Sequence, residues 1–398
     1  MTRPEERLRT LPAPGEEDAA RRTWAAVERA LEAAPERPVA RAPRRRARRA
    51  LVAATLVLVA ALAVAFTPPG EALADWLRRT VAPSRPPATA PARPQLPVGG
   101  RLLVEAPPYG LSIVEADGRR RRLGAWYDAV WSPHGRFVAA VSGQRLAVLD
   151  RRGAVRWSLR RPFELREPAW APDGRMVAYR SANGLRVVAG DGTGDRLVAG
   201  PMGFGRPAWR PGAGHVVAWA DRGGRVRLLD VASGRTSWVS GGGPQARFLV
   251  WSRSGSTLAA VSGHSVRLFD RGGRLLRRIR MARGQSIEAA TFARRGSGPL
   301  TLAVHDFRRG WSEIVLTAAR GPGGLRRMFS GRGRMIDLAW SPTGSWLLVA
   351  WRGADEWLFL HSAAVDRVTA IEDVTRFVNP RAPGLWAFPR LRGWCCPP

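Results

Sequence analysis

Six copies of one short motif occupy the last 270 or so residues, and they constrain the fold more than any other feature of the chain. They read Val130-Trp131-Ser132-Pro133-His134-Gly135, Ala169-Trp170-Ala171-Pro172-Asp173-Gly174 and Ala208-Trp209-Arg210-Pro211-Gly212. They continue as Val250-Trp251-Ser252-Arg253-Ser254-Gly255, Thr291-Phe292-Ala293-Arg294-Arg295-Gly296 and Ala339-Trp340-Ser341-Pro342-Thr343-Gly344. The aromatic anchors Trp131, Trp170, Trp209, Trp251, Phe292 and Trp340 are spaced by 39, 39, 42, 41 and 48 residues. A period near 40, with an apolar run after each glycine, predicts an all-β fold, a β-propeller.

The second copy shows the physics of one unit. Trp170 ends a short strand. The Ala-Pro-Asp-Gly that follows suits a type I turn closed by a glycine that tolerates positive φ. Arg175 to Arg180 is mostly apolar, as a strand sandwiched between neighbouring blades should be. A turn at Asn183-Gly184 leads to a third strand, Leu185 to Val188, and a fourth is expected near Asp195 to Val198. Third strands elsewhere end in Asp150, Asp230 and Asp270 before glycine-containing turns, where each carboxylate is placed to accept backbone N–H bonds. Bound Ca²⁺ at these turns is the alternative, but one Asp per blade looks like a turn cap.

The motif resembles the PD40 repeat of TolB-like, WD40-like propellers, roughly W-S-P-D-G before a hydrophobic strand. It differs from the WD40 class, which puts Trp-Asp at the end of a later strand. The resemblance covers about residues 100 to 394, and the third to fifth copies depart from it most. It implies a fold and a binding role but no settled activity. The blade count follows from closure. Val378-Asn379-Pro380 reads as a seventh, degraded anchor, 38 residues after Trp340. Arg101 to Glu105 and Leu111 to Glu115 read as strands with no anchor before them. If the two chain ends share one blade, no sheet edge is left open, and the total is seven blades, with six as the alternative.

Residues Leu51 to Phe66 form an uncharged, almost wholly apolar run. At about 1.5 Å per residue it reaches roughly 24 Å, short for a hydrocarbon core of about 30 Å, though flanking arginines can snorkel. Arg41, Arg44, Arg45, Arg46, Arg48 and Arg49 precede it, whereas Arg78, Arg79 and Arg85 follow. This asymmetry predicts a single transmembrane helix over 50–67, with the N-terminus cytoplasmic and the propeller outside. A cleaved signal peptide is the competing reading, and Ala72-Leu73-Ala74 supplies a small-x-small site. The long leader before the apolar run argues against it. A buried soluble helix is a third reading, but the chain offers no partner helices to bury it. Residues 68–98 are then a juxtamembrane helix carrying Trp76 and a Pro-rich stalk that holds the propeller, 99–398, off the membrane.

Residues 1–49 are too few and too polar for a core. A helix over 16–34 would align Ala20, Trp24, Val27 and Leu31, either transiently in a disordered tail or as a docking helix for a cytosolic regulator. The second option resembles the layout of single-pass anti-sigma factors. Their zinc-binding motif is missing, since no Cys or His precedes His134.

The formal net charge is +32, and all 64 basic residues are arginine, which points to a genome rich in G and C. A nucleic-acid partner would call for a localised basic stripe interleaved with aromatics. Here the arginines run through every strand and turn, with Arg119-Arg120-Arg121-Arg122 the densest outer cluster and expected to be a solvated hairpin. An anionic envelope polymer or a protein is the better partner, drawn by long-range attraction. The only cysteines are the adjacent Cys395 and Cys396. Outside the cytoplasm they are expected to form a vicinal disulfide or to cross-link another chain. A metal-binding pair would lack a nearby His or acidic partner.

Catalytic signals are weak. There is no G-x-S-x-G elbow, and His134, His215, His264, His305 and His361 fall at different points of different repeats. No metal, cofactor or catalytic residue is expected. The sequence therefore predicts a non-enzymatic binding module. A transmembrane sensor whose tail holds a regulator is the first alternative, and a hydrolase or lyase assembled in the propeller channel is the second.

Overall fold

The computed structural model describes residues 94–396, apart from 107, 109, 294–297, 319–323, 363–366 and 381–386. The expected cytoplasmic tail, the apolar segment 51–66 and most of the Pro-rich stalk lie outside the described residues. No helix among the described residues is long and apolar enough to cross a membrane.

Blade 1 takes three strands from the start of the described chain: β1 (Arg101–Ala106), β2 (Gly110–Glu115) and β3 (Arg120–Gly124). Blade 2 is β4 (Tyr127–Trp131), β5 (Phe137–Ser142), β6 (Arg145–Asp150) and β7 (Val155–Arg160). Blade 3 is β8 (Leu165–Trp170), β9 (Met176–Ser181), β10 (Gly184–Ala189) and β11 (Arg196–Ala199). Blade 4 is β12 (Ala208–Trp209), β13 (Val216–Ala220), β14 (Val226–Asp230) and β15 (Thr236–Val239). Blade 5 is β16 (Phe248–Trp251), β17 (Thr257–Val261), β18 (Ser265–Asp270) and β19 (Leu275–Arg280). Blade 6 is β20 (Gln285–Phe292), β21 (Leu300–Asp306), β22 (Trp311–Thr317) and β23 (Arg326–Arg332). Blade 7 is β24 (Met335–Trp340), β25 (Trp346–Trp351), β26 (Glu356–His361) and β27 (Val368–Ile371). A short helix, α1 (Val374–Val378), then leads to β28 (Arg390–Cys395), which pairs with β1 and completes blade 1.

Each blade is a four-stranded antiparallel meander. The first strands of blades 2 to 7 and β28 touch in sequence around a ring, β28 to β4, β8, β12, β16, β20, β24 and back to β28. This is a closed seven-bladed β-propeller whose two chain ends share one blade. Closure gives every blade a neighbour on both faces and leaves only the short outer strands as sheet edges.

The core lies between blades. Second strands read as continuous apolar runs because they are covered on both faces: β17 is buried at every position and β5 at its four central ones. Leu347 and Val349 pack with Ile314 and Ala303 across the seam of blades 6 and 7, and Phe359 and Leu348 pack with Leu102 and Val104 across the seam of blades 7 and 1. Each of these Leu, Ile, Val and Phe side chains contributes about 1.5–3 kcal/mol relative to exposure. Polar ties cross the seams too. Asp195 of blade 3 is paired with Arg186 at 2.6 Å and with Arg161 of blade 2, and Tyr179 donates to it at 2.5 Å.

The motif acts as anchor and turn together. All six aromatic anchors are 6–9 % exposed. Trp209 Nε1 donates to the Ala169 carbonyl at 2.9 Å, and Trp251 Nε1 to that of Ala208 at 3.1 Å, so these two anchors tie their blades to the ones before. In the turn, the N–H groups of Gly135, Gly174, Gly255 and Gly344 each donate to the carbonyl three residues earlier at 2.9 Å. The strand-end aspartates cap their turns: Asp150 Oδ1 accepts from the N–H groups of Arg152 at 2.8 Å and Ala154 at 3.0 Å, and Asp270 Oδ1 from Gly272 and Arg274 at 2.9 Å.

One expectation is corrected. Val378-Asn379-Pro380 is no anchor, because Val374–Val378 is helical and packs into the seam of blades 7 and 1. The seventh anchor is Trp394 in β28. It is 2 % exposed and stands opposite Leu102 as Trp131 stands opposite Val138. The glycine that should follow it is supplied by the other end of the chain. Gly100 sits at φ +121°, and a Cβ there would lie 2.7 Å from Trp394 Nε1. The seventh copy of the motif is thus divided between the two termini.

Candidate binding face and central channel

The first strands run in one direction around the ring, so all first-to-second and third-to-fourth turns lie on one face. The opposite face carries the links between blades and the second-to-third turns. This second face surrounds the channel mouth, and six of the eight arginine–aromatic contacts among the described residues gather on it. Arg145 stands over Trp126 at 5.3 Å, Arg166 over Tyr127 at 5.1 Å and Arg180 over Phe204 at 5.9 Å. Arg227 stands over Trp219 at 5.7 Å, Arg247 over Phe248 at 5.6 Å and Arg334 over Phe307 at 5.8 Å. Phe204 is 68 % and Phe307 57 % exposed. Trp126 and Trp219 are buried, and Arg166, Arg180, Arg227 and Arg334 also pair with Glu164, Glu167, Asp221 and Glu288. Arginine beside aromatic side chains is nevertheless the composition enriched in recognition surfaces.

The channel holds a cavity of ≈ 310 Å³ walled by the first strands. The residue three before each anchor lines it: Asp128, Glu167 and Arg206 on three successive blades, Phe248 and Ala289 next, then Asp337 and Leu391. Bulges at or beside these points in β4, β8, β20, β24 and β28 break the strand register, which is how a bulge re-aims a side chain. Asp128 and Glu167 are held at φ 50° and 57°, in the left-handed region that costs a non-glycine residue energy.

The charges of the channel are tied to one another. Arg206 reaches Asp128 at 3.1 Å, and Arg392 reaches Glu105 at 2.7 Å and Asp128 at 3.6 Å. The Asp128 N–H donates to Glu105 at 2.8 Å, and the Glu167 N–H donates to Asp128. Burial alone would raise the Asp128 pKa, but Arg206, Arg392 and the Glu167 N–H together hold it below the ordinary aspartate range. On the far side of β28, Asp337 of blade 7 accepts from Arg390 at 3.1 Å and from the Leu391 N–H at 3.0 Å. There burial wins and pushes the carboxyl above the ordinary range despite both donors and Arg392. Two aspartates of one cavity thus have opposite protonation tendencies. Arg247 also lines the cavity, beside Phe248, and makes no carboxylate pair among the described residues.

The residues singled out by sequence are dispersed. The anchors lie in the hydrophobic clusters of the blades as packing. Cys395 and Cys396 are bonded to each other, with Cys395 8 % exposed in the seam of blades 1 and 2. The histidines do not converge. His215 Nε2 is 2.9 Å from Asp173, and His264 Nδ1 donates to the Gln285 carbonyl at 2.7 Å. His305 Nδ1 meets Ser312 Oγ at 3.0 Å, and the His361 ring stacks edge-on against Trp346. Burial and Arg334 lower the His305 pKa. Among the described residues no three His, Cys, Asp or Glu side chains gather as a metal-ligand set. Arg120, Arg121 and Arg122 lie on β3, the exposed outer strand of blade 1, and the arginine flank Arg44, Arg45, Arg46, Arg48 and Arg49 lies outside the described residues. The channel charges were missed by sequence reading, although a charged residue three before an anchor, inside an otherwise apolar strand, was the available signal.

No protein-family profile matches the chain, and no curated protein matches it. Solved structures do resemble it. The β-propeller domain of Myceliophteria thermophila Cps50 (Swd1) is 15% identical with a TM-score of 0.49, over 62% of this chain and 84% of that one. Kuenenia stuttgartiensis hydrazine synthase is 16% identical with a TM-score of 0.47, over 65% of this chain and 80% of that one.

Proposed function

We propose that the chain is a membrane-anchored, extracytoplasmic binding module that captures an anionic envelope polymer on the channel-mouth face and catalyses no reaction. The observation that carries this reading is the gathering of six arginine–aromatic contacts on that one face. Guanidinium groups supply long-range attraction and bidentate hydrogen bonding to carboxylate or phosphate. The aromatic partners hold those groups in place, so less side-chain entropy is lost on binding. Anchoring rests on the apolar run Leu51 to Phe66 and its arginine-rich leading flank, with the stalk carrying the propeller away from the membrane. The TolB-like, PD40 resemblance of the repeats agrees with a binding role.

The test is co-sedimentation of the detergent-solubilised full chain with cell-wall fragments, before and after acid extraction of their anionic polymers. Binding should fall at least tenfold on extraction and weaken steeply with salt. Retention that survives extraction unchanged would overturn the reading and point to a protein partner.

A further inference from the structure

A cleft opens on the same face between the link that enters blade 2 and the last three strands of that blade. It is an open depression of ≈ 650 Å³ lined by Ala125, Trp126, Ser142, Arg145, Ser158 and Arg160, among others. Arg145 and Arg160 are direct cross-strand partners on β6 and β7. Directly opposed residues point to the same side of a sheet, and like charges so placed repel. Neither guanidinium meets a carboxylate among the described residues. Arg145 Nη2 donates to Ser158 Oγ at 3.0 Å and its guanidinium stacks on Trp126, a buried ring that fixes its direction.

A second opposed arginine pair shows what a settled one looks like. Arg267 and Arg278 face each other on β18 and β19. Arg267 is 4 % exposed and spends its donors on the carbonyls of Gly224 at 2.7 Å, Gly241 at 3.2 Å and Pro244 at 3.3 Å. Arg145 and Arg160 have no such acceptors and border an open cleft instead.

We infer that this cleft is a subsite for one phosphate group. Arg145 and Arg160 grip its oxygens from both sides, and the Ser158 hydroxyl donates a further bond. Donors converging from two guanidinium groups and a hydroxyl suit a tetrahedral oxyanion, which offers an oxygen to each, better than a planar carboxylate. The anion also cancels the cross-strand repulsion. The subsite rests on the polymer-binding reading above and deepens it: the captured polymer carries phosphate.

Calorimetric titration of the full chain in uncharged detergent tests this, with inorganic pyrophosphate and with a glycerol phosphate oligomer as separate probes. Each should bind saturably. R160Q should weaken both at least tenfold, and R145Q/R160Q should abolish pyrophosphate binding. R160Q should also raise the Tm of the ligand-free protein, which a merely structural arginine would not do. Pyrophosphate binding left within twofold by R145Q/R160Q overturns the subsite. Oligomer binding that survives R145Q/R160Q overturns it too, yet leaves the polymer-binding face standing. Pyrophosphate binding alone, with no oligomer binding by the wild type, upholds the subsite for a free anion and sinks the polymer reading.

Discussion

Gly135 and Cys396 occupy each other's space: a Cβ on Gly135 would stand 1.7 Å from Cys396 Sγ and 2.6 Å from Cys395 Sγ. The first turn of blade 2 is moulded against the sulfurs that end the last strand, so the seam where the ring closes is sealed by a glycine and a disulfide.

Gly135→Ala should therefore cost far more than its backbone conformation demands. Gly135 has φ +60° and Gly174, at the same point of the next repeat, has φ +72°. Both alanine variants pay the left-handed penalty of roughly 1–2 kcal/mol. A Cβ on Gly174 meets nothing nearer than Pro133 Cδ at 3.8 Å. Urea unfolding should show Gly135→Ala losing at least about 2 kcal/mol more than Gly174→Ala, in the range of overpacked cores. Equal losses would mean that the cysteines move aside freely and that the seam is not built on this contact.

The anchors are not equivalent. Trp209 Nε1 donates across a blade seam to Ala169, whereas the buried Trp340 Nε1 has no hydrogen-bond partner among the described residues. Trp209→Phe removes the bond across the seam, at a cost of about 0.5–1.5 kcal/mol beyond lost packing. Trp340→Phe removes only an unsatisfied donor and should be milder by about that amount. Matched denaturation curves decide it, and a larger loss at Trp340 would contradict the arrangement.

The opposite tendencies of Asp128 and Asp337 give opposite pH signatures. Asp128 has its folded pKa below the unfolded value, so its stabilisation is full above the unfolded pKa and is lost as pH falls through the folded one. Asp128→Asn should lower Tm at pH 7, and the deficit should shrink as the pH falls below about 4. Asp337 has its folded pKa raised, so the folded state binds a proton more readily and stability drains away as pH rises past the unfolded value. Asp337→Asn mimics the protonated carboxyl, and its Tm relative to wild type should climb between pH 3 and pH 7. Parallel pH profiles for the two variants would refute the assignment.

The period of Trp131, Trp170 and their successors made the propeller legible because every blade repeats one packing problem with one aromatic solution. The seventh anchor was not legible, since the motif of Trp394 is completed by Gly100 from the other end of the chain and the interval before it is lengthened by α1. The channel charges were hidden for a different reason. Asp128 and Asp337 face inward only because bulges interrupt the alternation that a strand pattern assumes. Arg145 and Arg160 looked like two more arginines among many. Their meaning depends on cross-strand register, which no single strand's sequence states.

Capture of an envelope polymer, as proposed, requires the propeller to lie outside the cell membrane. The arginine-rich flank before Leu51 favours a cytoplasmic tail, so a cysteine at Ala26→Cys should be shielded from an impermeant thiol reagent in intact cells. One at Ser84→Cys, in the stalk, should react. Both belong in a background with Cys395→Ser and Cys396→Ser, whose propeller should be less stable but folded, because those sulfurs contribute to a single seam. The labelled chain should stay in the membrane fraction, since a cleaved leader would release the propeller to the medium. A silent stalk with a reactive tail would invert the topology. A silent pair of sites that both react after lysis would place the whole molecule inside the cell, where an envelope polymer is out of reach and an acidic cytosolic partner must be sought for the channel-mouth face.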